Sequence, residues 1–521
     1  MYRLIQCEKR LLGWLETHIF LILGSTIFGI TVYFMMMAME LSNDLDGIWH
    51  TSNFIAGNWE ISLGRGLQRY FDKMRFGIVS VPFNTVLTIF IESVAISMII
   101  DLFGVKNKLL KMLVAALLIA NPVVCATLSY SYTTVNYALA YLFSVVSVYA
   151  IHFFGEKKWY IGSIAGAFFL AVSMGCYQAY IGVTCYLLLG ILIRMILDKV
   201  KWRRIGMFVV SGGLEILLGG GLYFLLTQAL LKRAGIELSS YRGAGNVTLV
   251  SILKNFPSSF LECYREFYSY FALQKMYIRL PLIDWIVCAL GLIICCALVY
   301  QAIELSRHHW TYVVGLVLCI ALLPVASNSV ILIAVGNAVT MLMAMGMLLV
   351  PVYGVLLTKG KVHYPFFLRR ILAVLLCLLC WFQMSMVIND QLAMREGKTA
   401  TIALAENVIQ ELSAQGYLQG QQVIALVGRP AENDLFAHQP AYENANGYAR
   451  FGSWSTEAGN LRRSWLGVLN EFCGVNLPMC GEDQYNVLRQ LQEVADMPEF
   501  PSEGSIREID GIVVVKISEL Y

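Results

Sequence analysis

The stretch Leu41-Ser-Asn-Asp-Leu-Asp-Gly-Ile-Trp-His50 holds the first residues that could do chemistry. Asp44 and Asp46 stand two apart just beyond a long apolar run. A carboxylate pair at a membrane exit could act as a general base or hold a divalent cation. The same residues also have a plainer use, with Asn43 or Asp44 capping a helix and Asp46-Gly47 making a turn.

Next comes Gly64-Arg-Gly-Leu-Gln-Arg-Tyr-Phe-Asp-Lys-Met-Arg-Phe76. Leu63, Leu67, Tyr70, Phe71 and Met74 fall at helical spacing, with Arg65, Arg69, Asp72 and Lys73 elsewhere on the wheel. Such a helix would lie in the headgroup plane as an anchor. Alternatively, one or two of Arg65, Arg69, Lys73 and Arg75 would hold a lipid-linked phosphate beside the acids, since arginine matches phosphate with a bidentate fork. Arg242, in Tyr241-Arg-Gly-Ala-Gly245, belongs to a net basic segment that could meet a substrate phosphate or lipid headgroups. Tyr177-Gln178 offers an aromatic face and an amide, suited to sugar contact or to packing in an aromatic belt. Glu92 and Glu215 fall within apolar runs, where an acid faces a cavity or is held as a structural group. Cys473 and Cys480 are close enough in sequence for a disulfide. No Cys/His cluster has the spacing of a zinc site, and no Ser/His/Asp order is readable.

These residues need a scaffold, and composition says which kind. The 521 residues are 58% hydrophobic and 14% charged, with a mean hydropathy of +0.64, which excludes an ordinary cytosolic globule. A net charge of +3 gives no reason to expect nucleic-acid binding. Apolar runs near Leu11–Met39, Val81–Phe103, Leu109–Leu128, Asn136–Phe154, Trp159–Met174, Ala179–Leu197, Ile205–Leu231, Leu282–Ala302, Trp310–Val325, Val330–Leu357 and Ile371–Ile388 predict about eleven spans. Lys/Arg clusters at Arg3–Arg10, Lys106–Lys111, Lys157-Lys158, Arg194–Arg204 and Lys359–Arg370 fall on one side of this alternating path. The short connections Ala126–Thr134, Gly175–Gln178 and Ser327–Ser329 on the other side carry no Lys or Arg. The positive-inside rule then predicts a cytoplasmic N-terminus and an outer C-terminus.

Three larger segments face outward on this reading: 40–80, 232–281 and the tail 389–521. The tail predicts a helix around Gln391–Gln415, a strand at Gln422–Val427, a helical patch near Asp483–Ala495 and a last strand at Gly511–Ile517. Its length, about 130 residues, suffices for a small α/β domain. The expected architecture is therefore a polytopic α-helical membrane domain over 1–388 and an extracytoplasmic α/β domain over 389–521.

The chain resembles the bacterial Gtr type II glucosyltransferases, polytopic membrane enzymes of the GT-C class. The likeness is carried by Asn43–Asp46 after the first span, Gly57-Asn-Trp-Glu-Ile-Ser-Leu-Gly-Arg65 and Gly175-Cys-Tyr-Gln-Ala-Tyr180. It continues in Met497-Pro-Glu-Phe-Pro501 followed by Gly504-Ser-Ile and Gly511–Ile517. The resemblance implies a GT-C-like fold in a bacterial plasma membrane. It also implies transfer of a hexose, glucose by the family's name, from a polyprenyl-phosphate-sugar to a cell-surface polysaccharide or lipid-linked glycan. In that class an acid of the first outer loop serves as base, a role falling here on Asp44 or Asp46. Leu45 separates these two, where the class commonly has adjacent acids. Direct displacement would invert the anomeric carbon, with a carboxylate taking the acceptor proton and Arg or Lys neutralising the departing phosphate. A transporter or flippase of lipid-linked sugars is the alternative from another class. Against it stand the absence of related halves and the presence of a large outer domain. A purely structural assembly partner is a third reading.

Overall fold

The computed structural model describes residues 2–43, 45–155, 158–239, 241, 249–271, 281–307, 309–333, 339–349, 366–419 and 422–519. The long helices are α1 (Tyr2–Val32), α2 (Val81–Leu102), α3 (Lys108–Ile119), α4 (Pro122–Ser129), α5 (Thr134–Phe154), α6 (Trp159–Cys176), α7 (Ile181–Leu197), α8 (Trp202–Ala234), α9 (Leu249–Phe271), α10 (Pro281–Ser306), α11 (Trp310–Ser327) and α12 (Phe366–Ala414). Among the described residues nine helices are long and apolar enough to cross a membrane, and α3 and α4 together meet the same length and composition test as a pair bent by 49°.

Sequence dictates that bend. Pro122 lacks the N–H needed to continue α3, and Asn121 caps the new helix by accepting the Val124 N–H at 3.0 Å. The Tyr33 hydroxyl donates to the Ile119 carbonyl at 2.8 Å, satisfying an acceptor that the break exposes.

The expected span Val330–Leu357 is corrected. Over its described part it is not one helix: Val330–Ile333 is followed, after residues outside the description, by a tight 3₁₀ turn at Met341–Met343. Thr340 enters that turn in an extended conformation, which a continuous helix cannot contain.

Two ends of the bundle are distinct. At one, Asn43 N–H donates to the Ser129 carbonyl (2.9 Å), Leu67 N–H to Gly175 (3.1 Å) and Ser239 N–H to Ser62 (2.9 Å), so the first outer segment is joined to three other connections of the expected outer side. At the other, Trp14 Nε1 and the Tyr149 hydroxyl both donate to Asp101 Oδ2, at 3.1 and 2.7 Å. There Arg194 also donates to the Leu102 carbonyl at 3.2 Å.

The C-terminal domain carries a three-stranded sheet in the order β1 (Val423–Val427), β3 (Ile512–Lys516), β2 (Ile506–Ile509). The β1–β3 pair is parallel and the β2–β3 pair antiparallel. β3 reads Ile-Val-Val-Val-Lys, apolar on both faces but for its last residue, and all five residues are buried. Lys516 is tolerated because its ammonium donates to the carbonyls of Ala495 (2.7 Å) and Met497 (2.8 Å) and to Glu519 (2.6 Å). Asn433 bonds the carbonyls of Phe500 and Ile517, so the end pattern Met497–Pro501 with Gly511–Ile517 builds this core. The expected helix Gln391–Gln415 is not separate, because α12 runs unbroken over Phe366–Ala414 and so includes both the expected span Ile371–Ile388 and the start of the tail. The patch Asp483–Ala495 is two helices, Glu482–Leu488 and Gln492–Ala495. Cys473 and Cys480, near enough in sequence to pair, are free thiols here, Cys480 buried and Cys473 half-buried.

Candidate active site

A cavity of about 1450 Å³ opens where the first outer segment, the α4–α5 connection, the α6–α7 turn, Val339–Leu342 and the C-terminal domain meet. Its acidic wall begins at Asn43. This side chain accepts the Gly47 N–H at 2.7 Å and so starts the short helix Asp46–Trp49. The capping use of Asn43 and a chemical use of Asp46 thus coexist. Gly47 is needed there, since a Cβ would come within 2.5 Å of Ser42 Cβ. Asp46, in the first turn, lines the cavity. Burial pushes its carboxyl above the usual carboxylate range; Arg65 pulls it back down and Glu60 pushes it up again. The helix is fixed from behind by Ile48, which sits in the core of the C-terminal domain, and by Thr51, which bonds Glu471. Asp44 and Arg242 lie outside the described residues, and with Asp44 goes the expected cation at Asp44/Asp46.

Arg65 also lines the cavity, its guanidinium carbon 4.7 Å from the centre of the Tyr177 ring. Its Nε is buried without a hydrogen-bond partner among the described residues, and no ion pair among them reaches it. A cation stacked on an aromatic face, surrounded by Tyr132, Tyr137 and Tyr223, is kept charged and has donors to spare. Tyr177 therefore reaches the cavity, whereas Gln178 does not line it. The Gln178 amide donates to the Leu63 carbonyl and to the Tyr223 hydroxyl (3.0 Å), holding the Gly64-Arg65 turn in place.

The helix Gln68–Met74 turns Tyr70 and Met74 outward, the orientation expected of an anchor in the headgroup plane. Gln68 and Asp72 are buried, while Tyr70, Met74, Phe76 and Ile78 are exposed. The buried polar residues of this helix, Gln68 and Asp72, serve the interior instead, Gln68 donating to the Cys176 carbonyl at 2.8 Å. Asp72 is a hub: it accepts from the Ala56 N–H (3.0 Å), Asn136 Nδ2 (2.8 Å) and Arg75 Nη2 (2.8 Å). Arg75 is thereby committed, also donating to Asn84 Oδ1 (3.1 Å) and the Tyr132 carbonyl (2.9 Å), which leaves it no free fork for a phosphate. Arg69 and Lys73 are off the cavity wall, Lys73 facing outward. Glu92 and Glu215 are buried in α2 and α8 and do not line it either.

Several wall residues escaped sequence reasoning. Trp49, Trp59, Tyr130, Tyr132 and Tyr137 give the cavity aromatic faces suited to the apolar faces of sugar rings. His50 is packed against Phe54 and Tyr132 at 4.5 and 4.8 Å, and burial pushes its pKa down, so it is neutral near pH 7. From the C-terminal domain come Asn446 and Tyr448. Both are tied to buried Asp390 of α12, through the Asn446 N–H (3.0 Å), Asn446 Nδ2 (2.8 Å) and the Tyr448 hydroxyl (2.5 Å). The only available signal was the Asn/Gly/Tyr-rich run Asn444–Tyr448, which does not say what it touches. Among the described residues no group of His, Cys, Asp and Glu is arranged to hold a metal ion.

A family model described as glucosyl transferase GtrII matches residues 27–351. No curated protein and no solved structure matches the chain. The matched region supplies Asp46, Arg65 and Tyr177, and ends before α12 and the domain that closes the cavity.

Proposed function

The chain belongs to the GtrII glucosyltransferase family, and from that premise we propose that it moves a glucosyl unit from a polyprenyl-phosphate carrier to a cell-surface glycan. Transfer would take place in the cavity at the outer face of the plasma membrane, with the N-terminus cytoplasmic. The observation that carries the reading is that one cavity wall presents a carboxylate, Asp46, and an uncommitted cation, Arg65.

The chemistry balances with these two groups. Asp46 takes the proton of an acceptor hydroxyl as that oxygen bonds to the anomeric carbon. The bond from this carbon to the carrier phosphate breaks, and the phosphate leaves with the electron pair. Arg65 meets the charge that develops on it, and attack from the opposite face inverts the configuration. A carboxyl pushed up by burial is a stronger base than an exposed one, which suits Asp46. The exposed apolar side chains at Tyr70, Met74, Phe76 and Ile78 support an approach from lipid, the phase in which an isoprenoid carrier resides. Tyr177 and the tryptophans support contact with a sugar ring.

The test is purified protein with polyprenyl-phosphate-glucose and extracted cell-surface glycan. Release of free polyprenyl phosphate with glucose on the glycan is expected, and it should fall in Asp46→Asn, with Asp44→Asn run in parallel. Use of a nucleotide sugar instead, or movement of intact donor across vesicles without release, overturns the proposal.

A further inference from the structure

A second cleft, of about 530 Å³, opens on the C-terminal domain. It shares Glu457, Asn460 and Arg463 with the wall of the larger cavity, so the two volumes adjoin at these residues. We propose that this cleft is the subsite for the acceptor glycan, holding sugar units next to the one that receives the transferred residue. The inference rests on the transferase reading above and adds where the acceptor polymer lies.

Three observations support it. First, the cleft belongs to the domain's helical face, lined by residues of Ala458–Gly467 and Glu482–Leu488. The exposed apolar strip Tyr70–Ile78 belongs instead to the membrane domain. Donor and acceptor would then enter from different sides, as a lipid-bound and a water-borne substrate must.

Second, its chemistry is that of a neutral polyol site. Its lining holds two acids, Glu457 and Glu482, and two arginines, Arg463 and Arg489, so charge balances, and Asn460, Asn486 and Gln490 add amides that both donate and accept. A cleft for a phosphate or nucleotide would be dominated by cations.

Third, part of this equipment is uncommitted. Arg489 is spent on the Thr456 carbonyl (2.6 Å) and Asn460 on Glu457 (2.9 Å). No hydrogen bond among the described residues engages the side chains of Glu482 or Asn486. Arg463 lies 5.4 Å from the Trp49 ring centre, at the junction with the reaction cavity. Gly459 keeps the floor open: a Cβ there would come within 2.8 Å of the Glu482 carboxylate.

The test measures binding of extracted cell-surface glycan to the full-length protein in detergent, without donor, and then the KM for that glycan in transfer. Asn486→Trp should weaken glycan binding by at least tenfold and raise its KM alike, while the KM for polyprenyl-phosphate-glucose stays within twofold of wild type. Glu482→Gln, which preserves shape, should weaken binding several-fold at unchanged thermal stability, which guards against a folding artefact. Asp46→Asn should bind glycan normally while losing transfer, so a failed subsite and a failed reaction give different patterns. Wild-type glycan binding in Asn486→Trp, or no glycan binding by the wild type while transfer proceeds, overturns the subsite.

Discussion

Arg65 and Tyr177 stand as cation on ring, 4.7 Å apart, and neither can be moved without disturbing the other. The Leu67 N–H bond to Gly175 (3.1 Å) and the Gln68 amide bond to the Cys176 carbonyl (2.8 Å) fasten the segments that bear them. The first outer segment and the α6–α7 turn thus behave as one piece, and the charged end of that piece points into the cavity.

Replacing Arg65 by Met removes a donor set that no protein group uses. Hydrogen bonds to charged groups contribute about 1.5–3 kcal/mol, so donor KM should rise on the order of ten- to a hundredfold, with glycan KM unchanged. Steady-state kinetics with varied polyprenyl-phosphate-glucose checks this; an unchanged donor KM would remove Arg65 from the phosphate.

Asp46→Asn should lower kcat by roughly 10²–10⁴-fold, the usual worth of a general base. The pH profile has a definite sign. Burial raises the Asp46 pKa, so the basic form, and the rate, should fall away at a higher pH than an ordinary carboxylate would allow. Arg65 lowers that pKa, so Arg65→Gln should move the acid limb to still higher pH. A limb that stays put in Arg65→Gln would show that Asp46 is not the titrating base.

Asp72→Ala should destabilise the protein by about 3–5 kcal/mol, because it strands buried Arg75 together with Asn136 and the Ala56 N–H. Asp72→Asn, which keeps some of the hydrogen bonds, should cost less. Thermal unfolding of the full chain in detergent orders the three proteins, and equal midpoints would refute the hub.

Gly47→Ala forces a Cβ against Ser42 and should cost about 1–3 kcal/mol through overpacking. Because Gly47 follows Asp46 directly, kcat should drop more than stability does. Comparing turnover with unfolding midpoints separates the two effects.

The sequence made the bundle legible because hydrocarbon thickness imposes length and composition on every span. Val81–Phe103 and Trp310–Val325 differ from the helices formed by only one or two residues at an end. Val330–Leu357 misled because an apolar run says nothing about continuity, and the turn at Met341–Met343 is as hydrophobic as a helix. Arg75 was indistinguishable from Arg65 by type and neighbourhood. Only the fold gives one an aspartate partner and the other a tyrosine ring. Asn446, Tyr448 and Arg463 could not be placed, since no local pattern records that a residue of the tail will face Asp46 across a cavity.

The 49-residue helix α12 is continuous from the expected span Ile371–Ile388 into the tail, and this makes the domain a mast stepped in the bilayer. At about 100° per residue, deleting one residue between Ile388 and Lys398 would swing everything above it by more than a quarter turn. Loops elsewhere in a protein absorb such changes by drifting; here the helical phase itself is the hinge pin.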